Sequence, residues 1–214
     1  MSIFEEAFNV VVGVEGGYQN IYNDRGNWTG GKPGVGVNKG TKYGVTAMSY
    51  PHLDIRNLTL AQAKEIYKRD FWDKLNGDKL PAGLALAAFD TAINSGVGRA
   101  LEFLNQTDQL SKFMALRRKF IRGLRLYSQK ANSKKTWGQV WEERLNHIEA
   151  MATQFDLRFP VIPAPVASPQ PPQGPANNYV VYNRGAGEII ISERFEDDKI
   201  IINPMGTKVY VTLK

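Results

Sequence analysis

Two carboxylates, Glu15 and Asp24, stand nine residues apart in the stretch NVVVGVEGGYQNIYNDRG, residues 9–26. An apolar run reaches Glu15, Gly16 and Gly17 follow it, and Asp24 comes shortly before Gly26. An acid in the last turn of a helix faces the carbonyl end of the macrodipole, and burial against an apolar face desolvates it. Both effects disfavour the charged form. Such an acid holds its proton near neutral pH and can deliver it to a leaving oxygen. The two glycines leave the space in front of the carboxyl open. If the chain doubles back through Tyr18 and Tyr22, Asp24 lies across a cleft from Glu15, and two carboxyls flanking a scissile bond are the equipment of glycoside hydrolysis. The plainer alternatives are a surface acid at a helix end for Glu15 and an ordinary turn residue in Asn-Asp-x-Gly for Asp24.

Helices must position these groups. Residues 3–14 place Phe4, Ala7, Phe8, Val11, Val12 and Val14 on one broad face, with the stop expected at Gly16 and Gly17. Thr59 and Gln62 have capping-box spacing at the head of NLTLAQAKEIYKRDFW, whose apolar stripe continues through Ile66 and Trp72. The small-residue helix from about Pro81 to Gly96 is apolar nearly all round, which marks it as central. In QLSKFMALRRKFIRGLRLY the spacing turns Leu110, Phe113, Met114, Phe120, Ile121 and Leu124 inward. Arg117, Arg118, Lys119, Arg122 and Arg125 then fall mostly outward. A last helix runs from about Thr136 to Phe155.

Between residues 25 and 44 the helical period vanishes. Seven glycines in twenty residues, with Trp28 and Tyr43 embedded, read as a loop or a small glycine-rich hairpin. Its aromatics are candidate sugar platforms; the competing reading folds Trp28 back onto the flap's own core.

The stretch PVIPAPVASPQPPQGPA, 160–176, holds seven of the eleven prolines and no charge. It cannot continue a helix or a central strand, and as polyproline II at ~3.1 Å per residue it spans roughly 50 Å. After it the period changes to two. NYVVYN, GEIIISERF, KIIINP and KVYVTLK read as four short strands, with turns at NRGAG, EDDK and NPMGT. About 38 residues are few for an independent core, so this module folds marginally, packs on the first domain, or oligomerises through its strand edges. The fold class expected is mainly α: a helical catalytic domain with a glycine-rich flap over 1–159, a linker over 160–176 and a β-rich module over 177–214.

Composition narrows the rest. A content of 43% hydrophobic and 11% aromatic residues belongs to a globular protein with a core. Without cysteine there is neither a disulfide framework nor a cysteine zinc site. The formal charge of +6 lies wholly before residue 161, because five basic and five acidic residues balance after it. That surface suits a polyanion such as nucleic acid, acidic lipid or an anionic cell wall, or it is a solvated basic face. The start MSIFEEAFNV has acids where a signal peptide needs positive charge, and no apolar run has membrane-spanning length.

The ordered set EGGYQNIYNDRG, GTKYGVT and FDTAINSGVGRA resembles glycoside hydrolase family 108, the N-acetylmuramidases of many phage endolysins and related bacterial proteins. The resemblance covers roughly residues 3–157. It implies a lysozyme-like helical fold with a small sheet or loop flap, and hydrolysis of the bond between N-acetylmuramic acid and N-acetylglucosamine in peptidoglycan. It implies Glu15 as catalytic acid, Asp24 as the carboxylate that holds water, and a threonine beside it that is either Thr41 or Thr46. Tyr18, Tyr43, Asn94 and Trp28 are the candidate substrate contacts, and residues of about 100–157 correspond to a peptidoglycan-binding helical part. The stretch from Asn27 to Gly40 is longer than in compact family members.

The resemblance implies peptidoglycan strands as partner, with action in the host cytoplasm and then the periplasm or wall; the long proline-rich spacer before a small β module suggests instead an enzyme attached to a virion through that module. Asp90, four residues before Asn94, is read as a buried hydrogen-bond partner, and Trp72 as core. His52 and His147 lack metal-site spacing, so no metal, no cofactor and no histidine catalysis is expected. The competing functions are a non-catalytic peptidoglycan binder, a lytic transglycosylase and a nucleic-acid binder using Arg117 to Arg125. The last lacks any accompanying nucleic-acid motif.

Overall fold

A computed structural model describes residues 2–13, 16–160, 180–183, 189–193, 199–204 and 209–212. Glu15 therefore lies outside the described residues, as does the proline-rich stretch after Pro160. The chain forms two compact units, Met1–Val161 and Ile162–Lys214.

Helix α1 (Ile3–Val11) opens on a capping box: the Ser2 hydroxyl accepts from the Glu5 N–H, and the Glu5 carboxylate accepts from the Ser2 N–H. It buries Phe4, Ala7 and Phe8. The helix stops at Val11, not at Gly16. Gly13 takes φ of 77°, and its N–H joins that of Val12 on the Phe8 carbonyl. Glycine enters this left-handed state without a Cβ penalty, which makes Gly13 the terminator. The helix terminus thus lies four residues before Glu15, and the helix-end account of that acid falls away.

From Gly16 the chain runs extended against the flap hairpin. The Gly16 carbonyl accepts from the Tyr43 N–H at 2.9 Å, and Gln19 and Thr41 exchange both backbone bonds. Strands β1 (Thr41–Lys42) and β2 (Val45–Thr46) pair antiparallel, with Thr41 opposite Thr46. Tyr43 and Gly44 both carry positive φ, 49° and 73°, as the tight two-residue hairpin turn demands. Gly40 is obligatory: a Cβ there would sit 2.5 Å from the Gln19 carbonyl oxygen and from the Tyr18 ring.

The helical body follows the sequence expectations closely. Helix α2 (Leu60–Tyr67) starts on the Thr59–Gln62 capping box and passes into a wide turn at Lys68–Trp72. Helix α3 (Ala82–Ser95) is buried from Ala82 to Ala92 and ends at Gly96. Helices α4 (Val97–Leu104), α5 (Leu110–Arg122) and α6 (Trp137–Arg158, capped by Thr136 and Gln139) surround it. Phe4, Trp72 and Phe89 meet edge to face with centroids 5.5–6.0 Å apart, so α1, the turn after α2 and α3 share one aromatic core. Trp72 is fully buried. Arg117 departs from expectation: it points inward beside Phe113, Met114 and Ile121.

In the second unit, β3 (Val180–Asn183), β4 (Ile189–Glu193), β5 (Lys199–Pro204) and β6 (Val209–Thr212) form a sheet in the order β4-β3-β5-β6. The four strands match the period-two segments. However, β5 pairs parallel with β3 rather than antiparallel with β4, so the EDDK segment connects strands that are not neighbours. Among the described residues no helix is long and apolar enough to cross a membrane.

Candidate active site

The turn after Gln19 carries Asp24 back toward the hairpin. Asp24 caps a single 3-10 turn, Arg25–Asn27: its Oδ1 accepts from the Gly26 N–H at 2.9 Å, and its Oδ2 accepts from Gln19 Nε2 at 3.0 Å. Asn27, next in the turn, is completely buried. Its Nδ2 donates to Gln19 Oε1 at 2.8 Å and to the Ile21 carbonyl at 3.0 Å. Its Oδ1 accepts from Gln19 Nε2 at 3.1 Å and from Thr41 Oγ1 at 2.7 Å. Asp24 and Thr41 are thereby members of one side-chain network, joined through two amides.

Thr46 lies across the hairpin from Thr41 but outside this network. Its hydroxyl donates to Ser49 Oγ at 3.1 Å and accepts from the Ser49 N–H, which closes the turn after β2. Its methyl faces Gly26. Of the two threonines the sequence offers, only Thr41 is hydrogen-bonded toward Asp24.

The aromatic candidates separate as well. Trp28 is buried: its indole N–H donates to the Tyr22 carbonyl at 2.8 Å, and the Tyr22 ring meets it edge-on with centroids 5.1 Å apart. The ring presented outward at this point is that of Tyr22, 62% exposed. Tyr18 is half-buried under the Arg56 guanidinium, and Tyr43 forms the hairpin turn with Lys42 over its ring. Beneath that turn, the buried Tyr67 hydroxyl is pushed up to about 12 by desolvation, so it stays neutral.

Helix α3 contributes Asp90 and Asn94. Asp90 has no exposed surface, and its carboxylate accepts from Arg117 and Arg144. Asn94, exposed one turn later, donates to the Asp90 carbonyl at 2.8 Å and to its Oδ1 at 3.2 Å. Asp90 is thus the buried hydrogen-bond partner the sequence suggested, and its partners Arg117 and Arg144 make the group an ion cluster.

The flap is tied to the helical body by Tyr50. Its N–H bonds the Thr46 carbonyl, and its hydroxyl donates to Asp70 Oδ2 at 2.8 Å. The forked hydrogen bonds of the Arg69 guanidinium hold the Asp70 carboxyl down to about 2, opposed by partial desolvation and helped by Tyr50. Burial first, and then the bond to Asp70, push the Tyr50 phenol above its ordinary range. His52 and His147 are exposed, and among the described residues no three His, Asp or Glu side chains are grouped to hold a metal.

Gln19 and Asn27 were not singled out by sequence. The signal available was their placement inside the EGGYQNIYNDRGN stretch on either side of Asp24.

Residues 8–96 match the family described as glycosyl hydrolase 108. That span takes in the end of α1, the flap, Asp24, both threonines and α3. No curated protein gives a significant match to the chain. Among solved structures, the chain is similar to that titled "Structure of Brucella abortus SagA", with a TM-score of 0.51 and 24% identity over 71% of this chain and 94% of that one. At that identity the likeness speaks for the fold.

Proposed function

On the premise that residues 8–96 belong to the glycosyl hydrolase 108 family, we propose that the protein is a peptidoglycan hydrolase of the N-acetylmuramidase type. It cleaves the β-1,4 bond between N-acetylmuramic acid and N-acetylglucosamine. The observation that carries this reading is the network uniting Asp24 and Thr41 on the flap that begins directly after Glu15. Glu15 protonates the glycosidic oxygen as the C–O bond breaks. Asp24 takes a proton from the water that attacks the sugar carbon from the other side, and Thr41 helps to hold that water. Thr46 has no part in it. Tyr18, Tyr43 and Asn94 line the route of the glycan, and the basic first unit suits an anionic wall.

An enzyme of this kind serves phage lysis or wall penetration, with the four-stranded second unit as a further contact to wall or particle. The test is mass spectrometry of purified peptidoglycan digested by the wild type and by Glu15→Gln. The expected result is muropeptides with reducing N-acetylmuramic acid ends from the wild type alone. Anhydro ends would instead make it a lytic transglycosylase, and no new products from either protein would leave a binding role.

A further inference from the structure

We propose that Gln19 and Asn27 form a positioning pair that fixes how Asp24 and Thr41 receive the attacking water; the proposal rests on the muramidase reading above. The two side-chain amides face each other and exchange two hydrogen bonds, Gln19 Nε2 to Asn27 Oδ1 and Asn27 Nδ2 to Gln19 Oε1. An amide has two N–H donors and an oxygen with two lone pairs. Every one of these is used here. The second Gln19 hydrogen goes to Asp24, and the second Asn27 hydrogen to the Ile21 carbonyl. The Gln19 oxygen also accepts from the Ile21 N–H, and the Asn27 oxygen from the Thr41 hydroxyl.

Full use sets a direction. Turning either amide over would place N–H against N–H within the pair. It would also set the Gln19 oxygen against the Asp24 carboxylate, or take from the Thr41 hydroxyl the acceptor it donates to. The arrangement has one satisfied polarity, and Asn27 is held in it with no exposure to solvent.

The consequence is chemical. The Thr41 proton is spent on Asn27, so toward the cleft Thr41 can only accept. The Asp24 carboxylate, with one oxygen held by the Gly26 N–H and the other by Gln19, also only accepts. A water between them must donate one hydrogen to each, which leaves its lone pair as the group presented to the sugar carbon. As the water oxygen bonds to that carbon, its proton passes to Asp24, the glycosidic C–O bond breaks, and the proton of Glu15 goes to the leaving oxygen. Gln19 and Asn27 touch neither substrate nor water; they act through Asp24 and Thr41.

Gln19→Glu keeps the shape but turns an acceptor toward Asp24. The expected result at neutral pH is a fall in kcat on the order of 10- to 100-fold with KM changed less than about twofold. Activity relative to wild type should recover on acidification, when the introduced carboxyl gains a proton to donate. Thr41→Ser, which keeps the hydroxyl, should retain most activity, while Thr41→Val should lose as much as Gln19→Glu. Thermal melts of each variant separate this from loss of folded enzyme. A Gln19→Glu protein with wild-type kcat overturns the positioning pair alone, as does one whose loss tracks its unfolded fraction without acid recovery. A wild type that cleaves no muramyl bond overturns the function and the pair together.

Discussion

Arg117 donates to Asp90 with both side chains buried, so an ion pair joins α5 to α3 inside an otherwise apolar core. Arg144, on α6, bonds the other carboxylate oxygen, and three helices converge on one charge. Desolvation pulls the Arg117 guanidinium below its ordinary range while Asp90 counters it. Removing Asp90 strands the buried Arg117 guanidinium without compensation, whereas Asp90 deprived of Arg117 still keeps Arg144. Asp90→Leu is therefore expected to destabilise the first unit by about 3 kcal/mol, and the double variant Arg117→Met, Asp90→Leu by distinctly less. Urea denaturation of the single and double variants measures both.

The pair formed by Arg69 and Asp70 fixes an acid dependence. The folded-state carboxyl sits at about 2 against an ordinary 3.8, so its contribution to stability is complete above the unfolded value and disappears as pH falls from about 4 through 2. Asp70→Asn should lower stability at pH 7 by about 1 kcal/mol, discounted for solvent around Arg69, and by progressively less as pH falls toward the folded-state value. Melting temperatures across that range test it.

Thr41 and Thr46 should separate kinetically. Thr46→Val removes only the two turn bonds to Ser49, and kcat on peptidoglycan is expected to stay within about threefold of wild type. Removing Thr41's hydroxyl should cost far more. Equal losses from both would place the water elsewhere.

Trp28 and Tyr22 should separate in the same way. The buried Trp28 is a packing residue, and Trp28→Ala is expected to destabilise the flap by about 3 kcal/mol. Tyr22→Ala should leave stability nearly unchanged and raise KM for glycan strands, because Tyr22 is the ring turned outward. Steady-state kinetics alongside thermal melts give both numbers.

What the sequence disclosed depended on whether the signal was local. The Thr59–Gln62 capping box lies within four residues, and α2 begins there. Alternation after residue 177 gave the strands, but pairing of β3 with β5 is decided between distant segments and has no local mark. Arg117 was assigned by its charge, although its spacing from Phe113, Met114 and Ile121 places it on the buried face; the partner that makes burial tolerable is 27 residues away. The sequence puts the helix stop at Gly16 and Gly17, and Gly13 ends the helix earlier because the chain must already be extended at Gly16 to meet Tyr43. Glutamine and asparagine carry no spacing rule, so the Gln19–Asn27 pair emerges only once the strand through Gln19 lies beside β1.

The glycine-rich arm between Trp28 and Asn38 folds on itself, with Thr29 bonded to Val37 and Gly30 to Val35. Its two feet are fastened at one point, because the Asn27 carbonyl accepts from both the Lys39 and Gly40 N–H groups. The arm is thus an excursion that leaves and rejoins the chain at the same anchor. Lengthening or trimming it changes how far the arm reaches while the spacing of Asp24 and Thr41 stays as it was. Length variation in this one segment is therefore expected to be tolerated without disturbing the Asp24–Thr41 network.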